Sequence, residues 1–281
     1  MRQSIKLVAM DIDGTLLGKT KELSAYTRKV LREAGNAGIH LVIASGRAFQ
    51  AIPELLLNIE GMAYVITSNG SSVFRLADGQ RVYGKDLESG QVERLLEFYV
   101  QWGCPMEVFI NGKAYTSEEY YAHPELYGAS ETGIEYVRST RKPVKNLTEF
   151  VKENTDCIEG INFIVQDPEE KEKCREMLKN IVGIYVTSSV QRYIEVSHGD
   201  VCKRNALHWL ADYLNVSREE MAAFGDGEND LEMIEYAGYG VAMANGADVL
   251  KAIADRVAPS VDEDGVAQVL QEFFRENSQK F

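Results

Sequence analysis

The stretch Ile5-Lys6-Leu7-Val8-Ala9-Met10-Asp11-Ile12-Asp13-Gly14-Thr15 decides how this chain is read. Ile5–Met10 is a compact apolar run of the buried-strand type, and two carboxylates follow it two residues apart. Side chains of extended backbone alternate with a period of two, so Asp11 and Asp13 point the same way. Gly14 then permits a tight turn. An aspartate can attack phosphorus and form an acyl phosphate, dividing one difficult hydrolysis into two easier steps. A second carboxylate beside it can protonate the departing alkoxide and later accept the proton of the attacking water. Asp11 is therefore the candidate nucleophile and Asp13 the candidate general acid and base. The competing reading is an acidic turn or calcium-type loop. It lacks the spaced Asp and Asn ligands and the distant Glu of such loops.

Outward from this stretch, strand and helix alternate. Ser24 is placed to cap a helix whose apolar positions Val30, Leu31 and Ala34 follow helical spacing, ended by Gly35 and Gly38. Ile39–Ala44 and Ala63–Thr67 are a second and a third apolar strand. Short strands separated by helices predict a parallel sheet with βαβ crossovers, and ligands bind beyond the carboxyl ends of such strands. Asp11, Ser45 and Ser68 each follow one of them directly.

The texture then changes. Asp78-Gly79 and Asn111-Gly112 are hairpin signals, each between two strand-like runs. Helical stretches Gln91–Tyr99 and Glu169–Ile181 alternate with strand-like Ile161–Val165, Ile184–Thr187 and Tyr193–Val196. The first texture returns with helix Lys203–Leu214, strands Met221–Phe224 and Tyr239–Met243, and helices Ala247–Ala254 and Val266–Phe274. The economical organisation is a Rossmann-like α/β core, residues 1–83 and 196–281, interrupted by an inserted α+β domain, residues 84–195.

A second acidic cluster, Phe224-Gly225-Asp226-Gly227-Glu228-Asn229-Asp230, again follows an apolar strand. Magnesium prefers oxygen ligands and commonly takes one or two carboxylates plus phosphate and water. Asp11 and Asp226 are candidate carboxylate ligands, and the backbone carbonyl of Asp13 is a third.

The 281 residues carry 45% hydrophobic and 26% charged residues and a formal net charge of −13. Such a surface repels phosphate backbones, so nucleic acid and anionic membrane are not expected partners. The run Ile5–Met10 is too short for a signal-peptide core, and no stretch approaches the roughly 20 apolar residues of a membrane span. Cys104, Cys157, Cys174 and Cys202 are scattered without a CxxC pair, as expected of reduced thiols. A cytoplasmic location is expected.

With these residues in view, the chain resembles the haloacid dehalogenase superfamily of phosphatases, in its Cof-type branch with a large α/β cap. Four motifs occur in the family's order: Asp11–Thr15, Ser45-Gly46-Arg47, Lys203 and Gly225–Asp230. Ile66-Thr67-Ser68-Asn69-Gly70 and Gly240–Asn245 also resemble that branch. The resemblance implies a nucleophile and magnesium ligand at Asp11, and a general acid/base and backbone ligand at Asp13. It implies phosphoryl contacts from Ile12, Ser45, Gly46, Lys203 and Asn229, a metal ligand in Asp226, and an outer-shell role for Asp230. Arg47 would face substrate or cap, or pair with a surface carboxylate. Two departures occur: Arg204 stands where glycine is frequent, and Gly246 where alanine is usual.

The implied activity is magnesium-dependent hydrolysis of a small phosphorylated metabolite such as a sugar phosphate, a nucleotide or a vitamin-precursor phosphate, with the inserted domain as the specificity cap. Two alternatives share part of this pattern. A phosphomutase would pass the phosphoryl group to a sugar instead of water, and a non-enzymatic sensor would only bind the metabolite. The paired acids count against a sensor. His123 and His198 lack metal-ligand spacing, and packing or surface roles are expected for them. The aromatic and acidic segment Glu118–Pro124 reads as amphipathic cap surface, with a lining of the substrate pocket as the alternative.

Overall fold

A computed structural model describes residues 4–278. In chain order its strands are β1 Leu7–Met10, β2 His40–Ala44, β3 Met62–Thr67, β4 Ser72–Arg75 and β5 Gln80–Gly84. They continue with β6 Met106–Ile110, β7 Lys113–Ser117, β8 Arg141–Val144, β9 Ile158–Ile164, β10 Ile184–Thr187 and β11 Tyr193–His198. The last three are β12 Met221–Gly225, β13 Tyr239–Met243 and β14 Arg256–Ala258. The chain divides into two compact units. One comprises the stretches up to Gly46, Ile52–Tyr83 and from Cys202 onward. The other comprises Arg47–Ala51 and Gly84–Val201.

The first unit is a mixed sheet of eight strands in the order β14-β13-β12-β1-β2-β3-β4-β5. From β14 to β3 every pairing is parallel; β4 returns antiparallel to β3. Leu7–Met10 and Leu41–Ala44 have essentially no exposed surface. That is the expected state of parallel strands covered by helices on both faces, and it explains why they read as unbroken apolar runs. Helix Lys203–Leu214 presses Ala206, Leu207, Leu210 and Ala211 onto one face. Each fully buried leucine there contributes about 2 kcal/mol of apolar burial. Helix Ala25–Asn36 is capped by the Ser24 hydroxyl, which accepts from the Thr27 amide, and runs through Gly35 to Asn36. The parallel order β12-β1-β2-β3 brings four carboxyl ends side by side. Asp226, Asp11, Ser45 and Ser68 stand at or just past them.

The second unit is built on a six-stranded sheet, β10-β11-β9-β6-β7-β8, antiparallel except for β7 against β8. Helices Ser89–Trp102, Leu147–Glu153 and Pro168–Lys179 bury one face of it around Val108, Ile161, Phe163 and Ile194. The Asn111-Gly112 signal closes the hairpin of β6 and β7, with positive φ at both residues (49° and 72°), as a primed two-residue turn requires. In the Glu118–Pro124 segment only Tyr120 and Pro124 are buried. His198 is buried, and its Nδ1 accepts from the Asp200 amide at 3.0 Å. Among the described residues no helix is long and apolar enough to cross a membrane.

Two boundaries expected from sequence move. The return to the first unit falls after Val201, not after residue 195. Strand β11 runs to His198 and is hydrogen-bonded between β9 and β10, so backbone pairing commits it to the second unit. Residues 47–51, expected in the core, also group with the second unit. The amide of Gln50 donates to the Gly112 carbonyl at 2.8 Å. The guanidinium of Arg47 lies 4.8 Å from the Tyr136 ring centroid and donates to the Ala51 carbonyl.

Candidate active site

Asp11 leaves β1 with its amide still donating to Phe224 of β12 at 3.0 Å, which sets its side chain at the end of the sheet. Lys203 comes from the first turn of the helix that packs on this sheet. Its ammonium is wholly buried and donates at 2.6 Å both to Asp11 Oδ1 and to Asp230 Oδ1. The other Asp230 oxygen accepts from the amides of Asp226 and Gly227, both at 3.0 Å. Asp230 is thus saturated and acts as an anchor: it fixes Lys203 and the loop carrying Asp226. Asp11 keeps its second oxygen clear of hydrogen bonds from the described residues.

The charges do not balance. Burial draws the Lys203 pKa down, but Asp11 and Asp230 outweigh it and hold the group above its ordinary range. Burial pushes Asp11 well above the carboxylate range; Lys203 opposes this, while Asp230, Asp226 and Asp13 add repulsion. Asp226 is pushed up to about 6, by burial first and by Asp230 next. One oxygen each of Asp11, Asp226 and Asp230 lie within 4.8 Å of one another. Because Asp230 is already saturated, Asp11 and Asp226 are the carboxylates left to meet a cation. An excess of buried carboxylate with free oxygens is the donor set a hard divalent cation such as magnesium takes, so these residues fit the expected metal.

The geometry around Asp226 is tight. Thr15 Oγ1 donates to Asp226 Oδ1 at 2.8 Å. Gly14 has φ +96°, and a Cβ there would lie 2.1 Å from Asp226 Oδ2. The turn after Asp13 therefore needs glycine twice over, for its backbone and for the close approach. Asn245 secures the same turn, donating to the Gly14 carbonyl at 2.8 Å.

Asp13 is more exposed than Asp11, and its carboxylate accepts from Lys21 Nζ at 2.6 Å. Ile12 is buried, and its carbonyl accepts from the amides of Leu16 and Leu17. Ser45 is buried at the end of β2, and half-buried Gly46 follows. Buried Asn229 donates from Nδ2 to Asn69 Oδ1 at 2.9 Å. The first unit thus joins Asp11, Asp230 and Lys203 by direct side-chain contact and holds Asp226 beside them through its amide. Arg47 belongs to the other unit.

Sequence reasoning gave no site role to Thr15, Lys21, Asn69 or Asn245. Thr15 lies inside the DxDGT string, Asn69 inside Ile66–Gly70 and Asn245 at the end of Gly240–Asn245, so position is a signal. Their partners were not readable. Lys21 had no signal; its contact depends on a loop conformation with φ +57° at Lys21 itself.

Comparison with known proteins identifies the family. The haloacid dehalogenase-like hydrolase family matches residues 8–270. The phosphatase YwpJ of Bacillus subtilis is 29% identical over 288 aligned positions, covering 95% of this chain and 99% of that protein. The 5-amino-6-(5-phospho-D-ribitylamino)uracil phosphatase YcsE of Bacillus subtilis is 28% identical and covers 95% of each chain. A solved haloacid dehalogenase-like hydrolase from B. subtilis superimposes with a TM-score of 0.84 at 27% identity, over 95% of this chain and 99% of that one. With the family matched along nearly its whole length, this chain belongs to the haloacid dehalogenase-like hydrolases.

Proposed function

We propose that the chain hydrolyses a small phosphomonoester in a magnesium-dependent reaction that passes through an aspartyl phosphate on Asp11. One observation carries the reading: a buried ammonium 2.6 Å from both Asp11 and Asp230 leaves the second oxygen of Asp11 available for attack. That oxygen bonds to phosphorus as the ester P–O bond breaks, and the electron pair leaves with the alkoxide. Asp13 enters this step protonated, gives its proton to that alkoxide and becomes the carboxylate that pairs with Lys21. In the second half-reaction Asp13 takes a proton from water, the water oxygen bonds to phosphorus, and the Asp11 carboxylate departs.

Lys203 offsets charge on Asp11 and on the phosphoryl oxygens; Ser45 and Gly46 after β2, Ile12 after β1, and Asn229 hold those oxygens. Phosphoryl transfer is catalysed chiefly by positioning and charge neutralisation of this kind. Magnesium, held by Asp11, Asp226 and the Asp13 carbonyl, would add a positive charge that lets the nucleophile stay ionised beside an anionic substrate.

The inserted unit selects the leaving group, with Arg47 a candidate substrate contact. The substrate is a small phosphorylated metabolite; the ribityl phosphate named for YcsE supports a polyhydroxylated phosphomonoester as the first class to assay. The test is phosphate release from a panel of esters with and without magnesium, for wild type and Asp11→Asn. Magnesium-dependent release abolished in the variant is expected. Turnover retained by a folded Asp11→Asn protein would remove Asp11 from this role, and isomerised sugar phosphate in place of free phosphate would identify a mutase.

A further inference from the structure

The phrase Ser68-Asn69-Gly70 follows β3 and has no part in the reaction described above. It carries three successive positive φ angles, 50°, 57° and 110°. Glycine adopts such angles freely and asparagine tolerates them, but serine rarely does. All three residues are buried. Backbone of this kind persists where its surroundings over-determine it, and such strain gathers at functional sites.

The surroundings here are three separate parts of the active site. The Asn69 amide donates to the Ser45 carbonyl at 3.1 Å, and the Ser45 amide donates to Ile66 of β3 at 2.9 Å, so Ser45 is gripped on both sides. The side-chain oxygen of Asn69 accepts from Asn229 at 2.9 Å, across 160 residues of sequence. Gly70 lies against the residue that opens the Lys203 helix: a Cβ on it would come 2.4 Å from the Cys202 carbonyl oxygen and 3.2 Å from the Lys203 amide. Both ends of the Asn69–Asn229 bond are buried, at 6% and 4% exposure, which shields it from competing water.

We propose that Asn69 is a positioning residue for the phosphoryl group: its backbone amide aims Ser45 and its side chain aims Asn229 before substrate arrives. The proposal rests on the phosphatase reading of Ser45 and Asn229. Asn69 itself does not touch the reacting atoms. Its left-handed backbone admits asparagine or glycine with little strain, so Asn69→Gly keeps the turn and the Ser45 bond and removes the link to Asn229.

The experiment is calorimetric titration of inorganic phosphate into the magnesium-loaded protein, alongside steady-state kinetics with p-nitrophenyl phosphate. Four proteins are compared: wild type, Asn69→Gly, Asn229→Ala and the double variant. Asn69→Gly is expected to weaken phosphate binding and raise KM about threefold to tenfold, the worth of one buried hydrogen bond, with kcat within about twofold. Added to Asn229→Ala it should change phosphate affinity by less than about twofold, since residues acting through one contact are non-additive. Equal weakening on both backgrounds, or phosphate binding unchanged in Asn69→Gly, would overturn the positioning role alone. Phosphate binding unchanged in Asn229→Ala would overturn it together with the phosphate-holding role given to Asn229.

Discussion

Replacing Lys203 with methionine tests the centre of the structure most directly. The ammonium is wholly buried and makes two bonds of 2.6 Å, to Asp11 and Asp230. Methionine fills a similar volume, so the change removes charge with little loss of packing. Breaking a buried ion pair by deleting one partner costs about 3–5 kcal/mol, because the other charge is left uncompensated. Two features move this chain toward the lower end. Asp230 keeps its bonds from the Asp226 and Gly227 amides, and Asp11, already held above the usual carboxylate range, can take up a proton. The expected loss is about 3 kcal/mol, which at a urea m-value of about 2 kcal/mol/M moves the unfolding midpoint down by about 1.5 M.

The two tryptophans allow a clean assay, since Trp209 lies in the first unit and Trp102 in the second. In a Trp102→Phe background, Trp209 fluorescence reports unfolding of the first unit. Asp230→Asn added to Lys203→Met should restore part of the loss by removing the orphaned charge. A midpoint shift under about 0.5 M, or full additivity of the two substitutions, would refute the view that this triad is a coupled buried network. The same variant should lose at least about a hundredfold in kcat, the usual effect of removing one preorganised charge-stabilising group.

Gly14→Ala sets a Cβ 2.1 Å from Asp226 Oδ2 at a φ of +96°, so Asp226 must move; magnesium titration should show at least about a tenfold loss of affinity, and an unchanged value would contradict the metal role of Asp226. Asp11 and Asp226 bind protons more tightly in the fold than free carboxylates do, so the folded state is favoured at low pH. Stability of the metal-free protein should fall as pH rises from about 4 through about 6, and magnesium should reverse the fall, as thermal melts against pH with and without chelator would record. Burial pushes the Cys104 and Cys174 thiols up to about 12 and raises Cys202. A thiol reagent at pH 8 should therefore label at most one of the four cysteines, Cys157, until urea is added; faster labelling at half-buried Cys104 would contradict its raised thiol.

Much of this protein was legible along the chain, because the signals involved are local. A run such as Leu7–Met10 reads as a buried parallel strand because both its faces are covered, and Asn111-Gly112 reads as a hairpin because few residues accept positive φ. The candidate residues Asp11, Ser45 and Asp226 were found because each follows such a run, where parallel strands present their carboxyl ends. The strand β14 and the helices Glu131–Thr140 and Leu147–Glu153 went unread: each is short and buries no more than two residues. The domain boundary moved because β11 follows its hydrogen-bond partners, and pairing is not written in composition.

By itself the sequence determined the residue types at the ends of the strands, and with them the chemistry. Tertiary structure alone decided who touches whom. Lys203 meets Asp11 across 192 residues, Thr15 meets Asp226 across 211, and Asn69 meets Asn229 across 160. Contacts so remote leave no periodic trace in a single chain. They exist because the sheet, closed by apolar burial, brings the ends of β1, β3 and β12 to one edge, where a buried charge or amide must find its partner or destabilise the fold.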